Sequence, residues 1–503
     1  MRIIKLLPVF FIFVACTKQS EYPTLSQQQM REDFEYTMQM LHDCGATFHT
    51  KVYLTGINPF DEARKVFEKN IDTVSTYPGF YKVMCRVLDC MRDYHTTIGE
   101  PHSFATHISE DIIEKNRDME WEWGMGRLWG FDVRYIDGHY YCWNNPDILD
   151  TAKNIIDSIP VGTEILGMFG RDMHWIEQNT ITPTGRWDKK DKRYVVTGVL
   201  SKSYYGISSK RTIQLQRAGR AEPEEMDLTK RGVVFRGSGR YIDSDTFKVD
   251  VFPDKILYIR VPSMNAGKNG EKIEPVIEKM AQMQEQGFKP NKVVVDIRSN
   301  GGGYDGTWYW LMSMLLPDTM KYVSQVVVPR TKTVADMFAM YPDMYPLMEE
   351  YSPFEHEFLP RNMEFAVLND TLILEPDSAS LRYNGSIFLL VNDGIYSSAA
   401  SFLTAINKMP NGISVGEPTG MYCGRGWTPF CFCMPHSKIT FLVPPCADFT
   451  DVRTPEDIMH DHVKVEIAPS IAERAYECAY TGERYSYEYM SQHDTVFKYV
   501  MVQ

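Results

Sequence analysis

The chain has 503 residues, 44% hydrophobic and 24% charged, and a formal net charge of −13. That composition fits a folded chain of two to four domains with room for large cores. The acidic balance leaves no basic stripe to neutralise phosphates, which excludes a nucleic-acid partner.

Residues 1–16 stand apart from the fold. Arg2 and Lys5 lead into an apolar run, Leu6 to Ala15, too short for a lasting membrane span, and the pattern is that of a secretory signal. Cys16, directly after the small Ala15, resembles a bacterial lipoprotein processing box in which the cysteine becomes the lipidated N-terminus; Phe13 stands where Leu is usual. The expected location is the cell envelope, with the body outside the cytoplasm and anchored through Cys16 to a bacterial membrane, the outer one. The other nine cysteines are an odd number, so at least one has no partner within the chain. None has zinc spacing, and no metal or organic cofactor is expected.

Residues 17–120 carry helical periodicity. One helix holds Phe34, Met38 and Leu41, a second Ala63, Val66, Phe67 and Ile71, and a third Tyr81, Met84, Val87, Leu88 and Met91. The third ends at Arg92-Asp93-Tyr94-His95-Thr96, where His95 reads equally as a solvated turn residue or as a functional one. From Trp121 aromatic and β-branched residues dominate. Asp137-Gly138-His139 between two such runs marks a hairpin, and strands are expected around Ile165 and over Thr212–Arg217. Residues 121–235 resemble a PDZ domain, chiefly in the phrase Pro160-Val161-Gly162-Thr163-Glu164-Ile165, with an insertion over Ile181 to Ser209. Such domains hold extended peptide ends by strand addition.

Residues 236–475 read as an α/β core, and 476–503 as a tail. Ile256–Val261 and Val293–Ile297 are strands around a helix through Val276 and Met280, which predicts a right-handed parallel crossover. Three glycines, Gly301 to Gly303, follow the second strand and let the backbone approach a ligand closely. Ile387–Val391 is a run buried on both faces. It breaks at Asn392-Asp393-Gly394, and Ser397-Ser398 opens a helix that stops at Pro410-Asn411-Gly412. A serine there reads as an N-cap or as a nucleophile beside free helix amides.

Three phrases decide between those readings. Val294-Val295-Asp296-Ile297-Arg298-Ser299-Asn300-Gly301-Gly302, Tyr396-Ser397-Ser398-Ala399-Ala400 and Val415-Gly416-Glu417-Pro418-Thr419 together resemble the tail-processing serine peptidases, which include carboxyl-terminal processing peptidases and the tricorn core. The resemblance implies a crotonase-like sheet core with a PDZ-like β domain and an N-terminal helical segment, and a peptide or unfolded protein as substrate. An ungapped register from Gly416 puts the family's nucleophile on Ser397 rather than Ser398. The processing peptidases' lysine would fall on Tyr422, and Arg425 nearby cannot accept a proton near neutrality.

The tricorn-like branch takes its base from a phrase similar to Leu88–Thr96, which implies His95. Its acid shortly precedes a phrase whose place is taken loosely by Pro455–Val465, where Asp457 and His460 depart from the usual residues. That implies Glu456, with Asp451 and Asp457 as alternatives. The oxyanion would lie between the amides of Gly302 and Ser398. The same departures, with Ala400 in place of the usual Glu, also fit a catalytically relaxed peptide-binding lipoprotein on this fold.

Overall fold

The computed structural model describes residues 22–99, 107–119, 127–143, 146–150, 155–168, 170–179, 186–196, 198–201, 212–227, 231–235, 246–267, 269–420, 427–459 and 462–503. The expected signal with Cys16, and also Tyr422, Arg425 and His460, lie outside the described residues.

Among the described residues five helices come first: α1 (Gln27–Cys44), α2 (Ala46–Thr55), α3 (Pro59–Ile71), α4 (Tyr77–Asp89) and α5 (Glu110–Met119). Side chains fix three of the starts. Ser26 and Gln29 form a reciprocal capping box on α1, Asn58 caps α3 ahead of Pro59, and Thr76 caps α4. Phe34, Leu41, Phe67, Phe80 and Met84 bury completely in one core. Within the stretch expected to be helical, α2 was not singled out. It is buried from Ala46 through Lys51, so it has no polar face to set a period.

The second region is β-rich: β1 (Arg127–Ile136), β2 (His139–Cys142), β3 (Pro146–Asp150), β4 (Ile155–Ser158), β5 (Glu164–Met168), β6 (Arg171–Asp172), then helix α6 (Met173–Asn179). There follow β7 (Arg186–Asp188), β8 (Arg193–Val195), β9 (Gly198–Ser201), β10 (Thr212–Gln216), β11 (Glu224–Asp227) and β12 (Arg231–Phe235). The hairpin at Asp137-Gly138 forms as expected, with Ile136 opposite His139. A sheet runs β11-β10-β5-β2-β1-β9, with β6 on β5, beside a smaller sheet β12-β3-β4. The stretch expected as an insertion therefore supplies a sheet edge, because β9 pairs with β1.

The third region holds β13 (Lys248–Phe252), β14 (Ile256–Arg260), α7 (Glu274–Glu285), β15 (Lys292–Asp296), α8 (Gly306–Ser313), β16 (Met320–Pro329), α9 (Lys332–Met340), β17 (Ser352–Phe354) and β18 (Phe365–Leu374). It continues with β19 (Ile387–Val391), α10 (Ser398–Lys408), β20 (Gly412–Gly416), β21 (Phe430–Cys433), β22 (Thr440–Val443), β23 (Ala447–Asp448) and β24 (Val465–Glu466). Three helices close the chain: α11 (Ile471–Ala479), α12 (Tyr487–His493) and α13 (Thr495–Val502).

The central sheet runs β13-β14-β15-β19-β20-β24, parallel from β14 onward with β13 antiparallel at one edge. Its alternation explains the continuous apolar runs. Leu257, Val293, Val295, Leu389 and Val391 face α7, α8 and α10 through Met280, Leu311, Phe402 and Ile406. Tyr258, Val294, Phe388 and Leu390 face Met490, Val496, Phe497 and Val500 of α12 and α13. Residues 476–503, expected as a tail, thus hold the layer that covers the second face. Burial of each such side chain contributes roughly 1.5–3 kcal/mol. A second sheet, β17-β18-β16-β23, seats the N-terminal helices, since Val326 and Val328 share the core of Phe34 and Phe80.

Candidate active site

The loop after β19 is tied to the glycine loop after β15. Asn392 Oδ1 accepts from the amides of Ser299 (2.7 Å) and Gly394 (3.1 Å), and Tyr396 N donates to Asn300 O (3.1 Å). Ser397 then takes φ 54° and ψ −124°, a region costly for any residue with a Cβ. It occupies the N-cap position of α10, yet its side chain caps nothing. The capping reading of the sequence therefore fails for Ser397. Ser398 is buried, and its hydroxyl donates to Asp305, which also accepts Trp308 Nε1 at 3.0 Å. Adjacent serines have different tasks: one holds structure, the other is partly exposed at a strained turn.

Gly302 sits against that turn with φ +98°. A Cβ there would lie 2.6 Å from Tyr396 O and 2.7 Å from Ser397 Cβ, so only glycine permits the approach. The two amides expected to face an oxyanion differ. Ser398 N lies in the first turn of α10, where amides lack intrahelical acceptors. Gly302 N donates to Asn300 Oδ1 at 2.9 Å. Beneath the loop, Asp296 is fully buried and accepts from Arg298 Nη2 (2.6 Å) and Tyr258 OH (3.0 Å), with Arg260 Nη1 at 3.4 Å. Burial opposes its charge, but Arg298 and Arg260 outweigh that and hold its carboxyl below the usual range. Arg298 also reaches Asp494 at 2.7 Å, pinning the loop to the start of α13.

His95 arrives from the other end of the chain. Its segment continues into a strand-like contact with β22, with Leu442 N donating to Thr97 O at 2.9 Å. The imidazole ring lies 4.9 Å from the ring of Tyr396, centroid to centroid, and Tyr396 immediately precedes Ser397. Asp93 Oδ1 accepts both from His95 N (3.0 Å) and from Tyr396 OH (2.7 Å). Burial lowers the His95 pKa, with the charge of Asp93 opposing, and so favours the neutral ring.

The three candidate acids separate by their partners. Asp457 accepts from the amides of Arg453 (2.9 Å) and Thr454 (2.6 Å) and pairs with His462 at 2.8 Å, so it holds its own turn. Asp451 pairs with Lys408. Glu456 is exposed on the short 3-10 turn Pro455–Met459. Helix α2 packs on that turn, and Lys51 of α2 donates to the carbonyls of Met91 and Arg92 just before the His95 segment. Among the described residues no group of His, Cys, Asp or Glu could hold a metal ion, and no helix is long and apolar enough to cross a membrane. The roles of Asn300, Asp305, Asp93 and Tyr396 were missed in the sequence. Asn300 and Tyr396 lie inside the quoted phrases and Asp93 inside the His95 phrase, so the signal was position within a motif rather than residue type.

Comparisons with known proteins bear on part of the sequence and on the fold. Residues 255–427 match Peptidase family S41. Mature CPAF complexed with lactacystin overlays with a TM-score of 0.56 at 13% identity, covering 94% of this chain and 98% of that one. Mature CPAF alone gives 0.55 at 12% identity, with 94% and 97% covered. The photosystem II D1 C-terminal processing protease overlays less closely, at 0.39 and 16% identity over 88% and 94% of the two chains, so the shared fold rests on the first two. Among curated proteins no relative matches.

Proposed function

We propose that this chain, a serine peptidase by its family S41 domain, cleaves peptides or unfolded proteins with Ser397 as nucleophile, His95 as general base and Glu456 as the acid that orients it. The observation that carries this is Ser397: a strained, partly exposed serine whose hydroxyl is not spent on capping, packed against Gly302 and one residue from the tyrosine that His95 touches.

Ser397 Oγ attacks the scissile carbonyl while His95 takes its proton and then returns it to the leaving amine; water repeats the cycle on the acyl-enzyme. The oxyanion is met by the Ser398 amide and by Gly302, whose amide exchanges Asn300 Oδ1 for the developing charge. The β-rich region at 121–235 is read as PDZ-like and holds chain ends by strand addition. The protein is exported and held at the cell envelope, at the outer membrane, by a lipid on Cys16.

Labelling with a phosphonylating probe tests the chemistry. Wild-type protein should label and hydrolyse an unstructured peptide, and Ser397→Ala should do neither. Peptide binding without labelling of wild type would replace this reading with the relaxed binding protein that Ala400 suggests. Palmitate incorporation lost in Cys16→Ala tests the anchor; unchanged incorporation refutes it.

A further inference from the structure

We infer that Asp93 is a positioning residue of this peptidase: one buried carboxylate oxygen sets the histidine loop against the serine turn. The inference rests on the Ser397–His95 assignment above. Asp93 is 1% exposed, and the two bonds its Oδ1 accepts come from different parts of the chain. One is from His95 N on its own loop, at 3.0 Å; the other is from Tyr396 OH, across the site, at 2.7 Å. An aspartate that merely closed its own turn would need the first bond alone. The second joins parts of the chain 303 residues apart. Tyr396 is itself fixed to the glycine loop through Asn300 O, so nucleophile, glycine loop and base loop are indexed to one another through Asp93.

The surroundings of Asp93 favour this role. Lys51 faces it from α2, holds the carbonyls of Met91 and Arg92, and has its own pKa pulled down to about 8 by burial, with Asp93 opposing. Arg92 turns away, to Glu62 and the ring of Tyr194. Asp93 Oδ2 is buried and has no hydrogen-bond donor among the described residues. Buried acceptors without a donor are rare, and this one calls for a reason. The charge of Asp93 also opposes the depression that burial imposes on His95, so it acts on both the place and the basicity of the imidazole.

Three variants separate these effects, with rates normalised to the fraction of enzyme that a phosphonylating probe titrates, so misfolded protein does not count. Asp93→Ala should lower plateau kcat by about 10–10², the scale of a misplaced reacting group, with KM within about twofold. Asp93→Asn keeps an acceptor but not the charge; the acid limb of kcat/KM against pH should move to lower pH, because a raising influence on His95 is gone. Tyr396→Phe keeps the charge but not the crossing bond, and should lower kcat while leaving the limb in place. A plateau kcat for Asp93→Ala within about threefold of wild type, or an unmoved limb in Asp93→Asn, overturns the inference. Should Asp93→Ala give no soluble protein, an unchanged kcat in Tyr396→Phe overturns it equally. Failure of the underlying assignment looks different: wild-type labelling that survives Ser397→Ala would remove both readings at once.

Discussion

The two halves of the candidate site are built in opposite ways. The serine half is local: β19, the Asn392 turn, the strained Ser397 and the start of α10 lie within about twenty residues, beside a glycine loop hung on the neighbouring strand. The histidine half is assembled at a distance. His95 follows an N-terminal helix, takes a strand-like partner from β22, and meets the serine half through Asp93 and the Tyr396 ring. A parallel sheet positions whatever leaves the ends of its strands, so the serine half needs few specific contacts beyond its own turns. The histidine half has no such frame and depends on single side chains. A perturbation should therefore act on the first half through chemistry or folding, and on the second through geometry.

The largest effect tests the serine half. Ser397→Ala should remove roughly six orders of magnitude of hydrolysis, the scale for a serine nucleophile, whereas Ser398→Ala should keep labelling and lose only the bond to Asp305. Labelling that follows Ser398 instead would move the nucleophile by one residue. Next comes the buried charge beneath the loop. Asp296→Asn leaves Arg298 and Arg260 without their counter-charge and should cost about 3–5 kcal/mol in urea unfolding.

The sign of the pH effect follows from the lowered carboxyl. Its stabilising contribution is present above the ordinary aspartate value, about 3.9, and is lost as pH falls through the lower folded value. Acid unfolding of Asp296→Asn should accordingly be flatter than that of wild type. Gly302→Ala should reduce kcat by about 10²–10³, because the added carbon meets Tyr396 O and Ser397 Cβ, with a normal rate showing that the loop is not part of the machinery. The smallest effect belongs to Glu456→Gln. An exposed carboxylate is screened, and the rate should fall on the order of tenfold. A loss as large as that at Ser397 would mean Glu456 becomes enclosed when substrate binds.

The difference between the halves also sets what could be read from the residues alone. The run Ile387–Val391, its break at Asn392 and the helix after it carry their structure in neighbouring residues, so strand, turn and helix were all legible. The hairpin through Asp137-Gly138 was legible for the same reason. Helix α2 was not, since burial on nearly every side erases its period. The closing helices looked like a tail because their apolar residues make sense only against Phe388 and Tyr258, far back in the chain. At the site, the serine and the glycine run could be named, but the strained φ of Ser397, the capture of Ser398 by Asp305 and the clasp through Asp93 could not. Each depends on a partner that only the folded chain brings near.

The cover over the second sheet face has a consequence for how this molecule comes into being. Phe388 and Leu390, on the strand that leads to Ser397, stay wet until Phe497 and Val500 have been synthesised, some hundred residues later. Synthesis runs from the N-terminus, so the histidine loop waits for β22 and Tyr396, and the strand before Ser397 waits in turn for its cover. A nascent chain that has just completed Ser397 thus lacks the packing that later covers this face of the strand before it.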